Sequence, residues 1–187
     1  MGMKKKQYGF TLIEMIIVIV VIGLVLPALI SVLFTVVRQQ AKIIALQEIK
    51  NQGDNAISSI ETVIKSQAIG IYSTYLDPDF SGPQCNTTGA IYSSSTGDDF
   101  YFKDKNGKQF HFYLNNVDPN DPYIASQSAL SASVMKLNNS RVQISGFSIS
   151  CKKTATYSAP IVTISFKVAH KEGSSMNYQT RIKLRNY

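Results

Sequence analysis

Residues 15–37 form an unbroken run of 23 residues without a charged side chain. As a helix rising 1.5 Å per residue, such a run is long enough to cross a hydrocarbon core of about 30 Å. A helix that is apolar on every side must be buried, either in lipid or among other helices. Lys4, Lys5 and Lys6 precede the run, which places the N-terminus in the cytoplasm and everything after Arg38 outside. A secretory signal peptide would have an apolar stretch of about 7–15 residues and then a small-residue cleavage site. Here the stretch is longer and no such site follows, so an uncleaved anchor is favoured.

The net charge of +7 hints at nucleic acid, but three of the nineteen basic residues are the clustered lysines. Without them sixteen basic residues face twelve acidic ones, leaving an ordinary +4. The 10% aromatic content excludes a disordered chain. Two Cys and two His exclude a metal-cluster scaffold.

Glu14 interrupts the apolar pattern, between Phe10-Thr11-Leu12-Ile13 and Met15-Ile16-Ile17-Val18. A carboxylate at bilayer depth costs a few kcal/mol, and such residues usually mark a function. Two readings follow. Glu14 either lies near the cytoplasmic interface, eased by the helix N-terminal dipole, or awaits a positive partner from another subunit.

Lys4-Lys5-Lys6-Gln7-Tyr8-Gly9-Phe10-Thr11-Leu12-Ile13-Glu14 resembles the leader and processing site of type IV prepilins and type II secretion pseudopilins. The resemblance covers roughly the first forty residues. It implies that a prepilin peptidase cuts between Gly9 and Phe10 and methylates the new N-terminal Phe10. It also implies that Glu14 pairs with the N-terminal amine of a neighbouring subunit during assembly. The implied partners are that peptidase, other pilin subunits, a membrane assembly platform and, before assembly, lipid; no cofactor is implied. The implied fold is α+β and pilin-like, a long membrane-spanning helix packed on a C-terminal antiparallel sheet. The expected divisions are a leader at 1–9, an assembly helix at 10–37, its amphipathic continuation at 38–69, and a globular part at 70–187.

Gly23 and Pro27 stand four apart within the apolar run. Pro27 has no N–H for the carbonyl of Gly23, so local unwinding or a kink is expected near residues 23–27. Beyond Arg38, Ile43, Leu46, Ile49, Gly53, Ala56, Ile60 and Val63 recur in steps of three and four, one apolar stripe on a helix. Glu61 and Lys65 make an i,i+4 pair, Gly53 is expected to bend the helix, and Gly70 is a plausible stop. A helix over 10–69 would extend roughly 90 Å, so its outer half must pack on something, and a sheet is the obvious surface.

Residues 70–98 are rich in turn signals. Cys85 lies among them and Cys151 ends a later strand pattern. An exported location permits a disulfide between them, free thiols being the alternative. The clearest hairpin spans residues 100–112. A two-residue Asn106-Gly107 turn would mix its faces, whereas a three-residue loop of Lys105, Asn106 and Gly107 pairs Phe102 with Phe110 and Phe100 with Phe112. That register turns His111 and Tyr101 outward. Strands are expected at 142–151, 161–169 and 178–184, and residues 126–135 read equally as short helix or strand.

No catalytic constellation emerges: His111 and His170 have no nucleophile motif nearby, and no Gly-rich phosphate loop is present. Asp77, Asp79, Asp98 and Asp99 could bind calcium but read better as turn formers. Lys103, Lys105 and Lys108, with Lys152, Lys153, Arg181, Lys183 and Arg185, could contact DNA phosphates alongside Tyr101. Solvated charges protecting edges and turns are the favoured reading. The sequence thus points to a structural subunit that polymerises through its N-terminal helix. The alternatives are a DNA-binding or adhesive minor pilin, or a permanently anchored receptor domain.

Overall fold

The computed structural model describes residues 9, 11–74, 83–128, 133–171 and 173–184. Residues 1–8 of the leader, Phe10, Asp77, Asp79, Glu172 and Arg185 lie outside the described residues. The chain divides into two units, Met1–Ile43 and Ile44–Tyr187, and one helix, α1 (Leu12–Gln67), contributes to both.

In the first unit α1 is helical throughout, including Gly23 and Pro27. The expected local unwinding is therefore not found in the isolated chain. Proline's φ near −65° is itself helical, so only one backbone bond is forfeited there. Every residue from Leu12 to Ile44 is exposed.

In the second unit the remainder of α1 has a buried face made by Ala45, Ile49, Gly53, Ala56, Ile60 and Ile64. These steps of three and four keep one stripe aligned along the axis. The stripe differs slightly from the sequence expectation. Ile43 is 54% exposed and Ala45 replaces it, while Ile64 takes the deepest place beside the half-buried Val63. Glu61 accepts a hydrogen bond from the Lys65 ammonium at 2.6 Å and another from the Thr180 hydroxyl.

The stripe packs on two antiparallel sheets rather than the one expected. The first has the order β1-β3-β4-β5-β6, with β1 Gly70–Tyr72, β3 Tyr101–Lys103, β4 Gln109–Asn115, β5 Tyr123–Ser128 and β6 Val134–Lys136. The second has the order β2-β7-β8-β9, with β2 Ile91–Ser94, β7 Val142–Lys152, β8 Ile161–His170 and β9 Ser175–Lys183. The turn-rich stretch thus donates one short strand to each sheet. Residues 126–135 are strand at both ends, and 129–132 lie outside the described residues.

Alternation with period two explains which side chains enter the core. Phe102, Phe110, Phe112 and Ile124 point inward from the first sheet, and Val142, Ile144, Ile149, Val162, Ile164, Phe166, Val168 and Ile182 from the second. Each such side chain taken from water contributes about 1.5–3 kcal/mol. Phe102 lies opposite Phe110, their rings stacked with centroids 5.4 Å apart. The hairpin loop is the three-residue one: Gly107 has φ +79°, and its N–H donates to the Asp104 carbonyl at 3.0 Å. The Asp104 carboxylate accepts the N–H groups of Asn106 and Lys108, each at 2.8 Å.

Gly53 has a packing role that the sequence does not announce. It is a seat for Tyr178 of β9, whose ring occupies the space a Cβ would need. With the ring in that position, the Tyr178 hydroxyl reaches the carbonyls of Ile49 at 3.3 Å and Lys50 at 3.4 Å. The ring also stacks on Phe166, with centroids 5.6 Å apart. Cys85 and Cys151 form a disulfide across 66 residues. It ties the turn-rich stretch to β7, where Tyr92 and Cys151 are register partners.

Candidate functional site

The helix begins with a reciprocal hydrogen-bond arrangement that the sequence reading passed over. The Thr11 hydroxyl accepts the Glu14 N–H at 3.4 Å. The Glu14 carboxylate in turn accepts the Thr11 N–H at 2.9 Å and the Thr11 hydroxyl at 3.1 Å, both on Oε2. This is a capping box, in which two otherwise orphaned backbone donors are satisfied by each other's side chains. A Thr cap is worth about 1 kcal/mol, and a carboxylate in the first turn is further favoured by the helix dipole. The signal was present as Thr11-Leu12-Ile13-Glu14, a T-x-x-E motif ahead of an apolar run.

The box uses one carboxylate oxygen. Glu14 Oε1 has no hydrogen-bond partner among the described residues. Glu14 therefore serves its own helix and retains acceptor capacity for a cation from elsewhere. Gly9 is exposed, and Phe10 lies outside the described residues. Beyond the box, α1 is long and apolar enough to cross a membrane, and none of its apolar window is buried by the rest of the chain. Leu24, Leu33 and Phe34 are 74%, 63% and 63% exposed. A surface of this kind far exceeds the few hundred Å² of contiguous apolar patch that a soluble monomer presents.

The remaining candidates are scattered rather than assembled. Tyr101, His111 and Tyr113 face outward on the first sheet, but they stand against one another, with centroids 4.8 and 4.6 Å apart. Their ring faces are thus partly used among themselves, which argues against Tyr101 as a platform for bases. Burial drives the His111 imidazole below its ordinary 6.5, only partly opposed by Gln127 and Asp98. Lys103 lies 5.6 Å over the Tyr72 ring. Lys153 is buried, while Lys152, Arg181 and Lys183 are exposed on the second sheet. Asp98 and Asp99 sit in a turn, and the Asp99 carbonyl accepts the Tyr92 hydroxyl. Among the described residues no group of three or more His, Cys, Asp or Glu side chains is placed to hold a metal ion.

The chain finds no match among curated proteins or solved structures. Residues 4–26 match the family described as the prokaryotic N-terminal methylation motif, a motif of structural rather than enzymatic proteins. That stretch contains the basic cluster, Gly9, Phe10, the Thr11–Glu14 box and the first half of the apolar run. With a long apolar helix packed at its far end on antiparallel sheets, the chain has a pilin-like α+β architecture and carries the N-terminal signature of type IV pilins and pseudopilins.

Proposed function

We propose that the chain is a filament subunit, cut between Gly9 and Phe10, methylated on Phe10 and polymerised through the N-terminal part of α1. The observation that supports this most is the exposure of every residue from 12 to 37, in a segment that also carries the methylation motif. Lipid covers that surface before assembly, with the N-terminus inside and residues after Arg38 outside. Neighbouring helices cover it afterwards. The filament is a pilus, a secretion pseudopilus or a DNA-uptake fibre, and the turn-rich stretch favours a minor subunit.

In this reading Glu14 gauges register. A carboxylate among apolar helices is costly alone and much less so when an ammonium meets it. An incoming subunit at the wrong height would leave both charges unpaired, whereas the correct height brings the Phe10 amine to the open side of the carboxylate. Glu14→Leu is expected to insert and be processed normally while its recovery in sheared filaments falls at least tenfold. Wild-type recovery of that variant would refute the gauge.

A further inference from the structure

The outward face of the second sheet lacks carboxylates altogether. On β2, β7, β8 and β9 the outward positions are those that alternate with the buried Ile149, Cys151, Val162, Ile164 and Ile182. None of these positions is Asp or Glu, and none is aromatic. Four are cationic: Lys152, Lys167, Arg181 and Lys183, all exposed. The ion pairs among the described residues are Lys65 with Glu61 and Lys136 with Asp121, so these four have no acidic partner there. Most of the other outward residues carry hydroxyl or amide groups.

The cations and polar groups are organised by register. Thr163 lies opposite Arg181, Ser165 opposite Gln179, and Lys167 opposite Asn177. Two shallow hollows follow this β8–β9 seam. Lys152, Thr154, Thr163 and Arg181, with Ile161, line one of about 340 Å³; Ser165, Lys167, Asn177 and Gln179, with Gly146 and the inward-facing Phe166 and Tyr178 at its floor, line another of about 570 Å³. Both volumes fall within the range of small-ligand sites, roughly 300–1,000 Å³.

We propose that this face binds an anionic polysaccharide, one whose sugar units carry carboxylate or sulfate groups. Charge complementarity selects a polyanion, since an uncompensated cationic surface attracts one along its length. The neutral groups select the kind. Hydroxyl and amide side chains both donate and accept, and sugar hydroxyls use both capacities. A phosphodiester backbone presents acceptors alone and would leave the Asn, Gln, Ser and Thr oxygens idle. Single-stranded nucleic acid would need outward aromatic rings for its bases, and the rings nearest the seam, Phe166 and Tyr178, face inward and stack on each other. The inference does not depend on the filament reading, because the face belongs to the globular unit whether or not the chain assembles.

The test is binding of an alginate oligomer, a polyuronate, to the full chain in nanodiscs of zwitterionic lipid, with neutral dextran and charge-matched duplex DNA in parallel. Alginate is expected to bind at least fivefold more tightly than the DNA, and dextran not to register. Lys152→Gln with Arg181→Gln should weaken alginate about tenfold, the sum expected of two exposed charge contacts. Asn177→Ala with Gln179→Ala should weaken alginate and leave DNA unchanged. Lys105→Gln with Lys108→Gln, on the hairpin of the first sheet, should change neither. Unaltered thermal unfolding of each variant keeps the comparison about binding. Absence of alginate binding, tighter binding of DNA, or equal loss in the seam and hairpin variants would each overturn the proposal.

Discussion

Two stretches of the same helix have opposite relations to the rest of the chain. In the outer stretch Ile49, Ala56, Ile60 and Ile64 have no exposed surface at all, because two sheets close over them. In the N-terminal stretch side chains of the same kind, such as Ile19 at 67% and Leu24 at 74%, stay exposed. Secondary structure and residue type are shared; what differs is whether this polypeptide supplies the covering surface. The outer half of α1 is stabilised from within the chain. The N-terminal half must be stabilised by lipid or by other molecules, and its apolar character is an instruction about partners rather than about folding.

The largest effect separating the two regions should come from the disulfide, which acts only on the second. Replacing Cys85 and Cys151 together by Ser should cost about 4 kcal/mol in the loop-entropy model for a 66-residue separation. Denaturant unfolding of the full chain in micelles would show it, and insertion into membranes should be unchanged. Next, Ile60→Ala should lower the stability of the globular unit by about 2–5 kcal/mol through the cavity it leaves. Ile22→Ala, made at a residue that is 49% exposed, should change that same transition by no more than about 0.5 kcal/mol. Equal losses would mean that the N-terminal stretch has a packed environment in the single chain.

The smallest effect is the dependence on pH, which should be confined to the globular unit. Burial holds His111 below its ordinary 6.5. Stability from its neutral form is present above pH 6.5 and is lost as pH falls through the depressed value. Burial, with Asp99 beside it, pushes the Tyr92 phenol up to about 12. Its contribution is present below pH 10 and is lost as pH rises through the interval to about 12. Melting temperature against pH should therefore decline at both ends, and His111→Gln should flatten the acid limb while leaving the alkaline one.

The N-terminal region was legible in the sequence because its signal is local: an uncharged run, a basic cluster and a single carboxylate within forty residues. The hairpin at 100–112 was legible for the same reason, its alternating aromatics and turn residues fixing a register that pairs Phe102 with Phe110. Strands β1 and β2 were not legible. They are three and four residues long, and what makes them strands is a partner far along the chain, β3 for one and β7 for the other. The division into two sheets is hidden for that same reason. Gly53 shows the limit for single residues: its local meaning is a weak point in a helix, and only the arrival of Tyr178 from β9 makes it a seat. The Thr11–Glu14 box, by contrast, was fully written in four residues.

Under the proposed function, the exposed apolar helix belongs to a processed subunit awaiting neighbours. Intact mass and N-terminal sequencing of the protein extracted from its native membrane test it most directly. The expected product is a polypeptide that starts at N-methylated Phe10. A chain that keeps Lys4, Lys5 and Lys6 in its mature, membrane-resident form would contradict it.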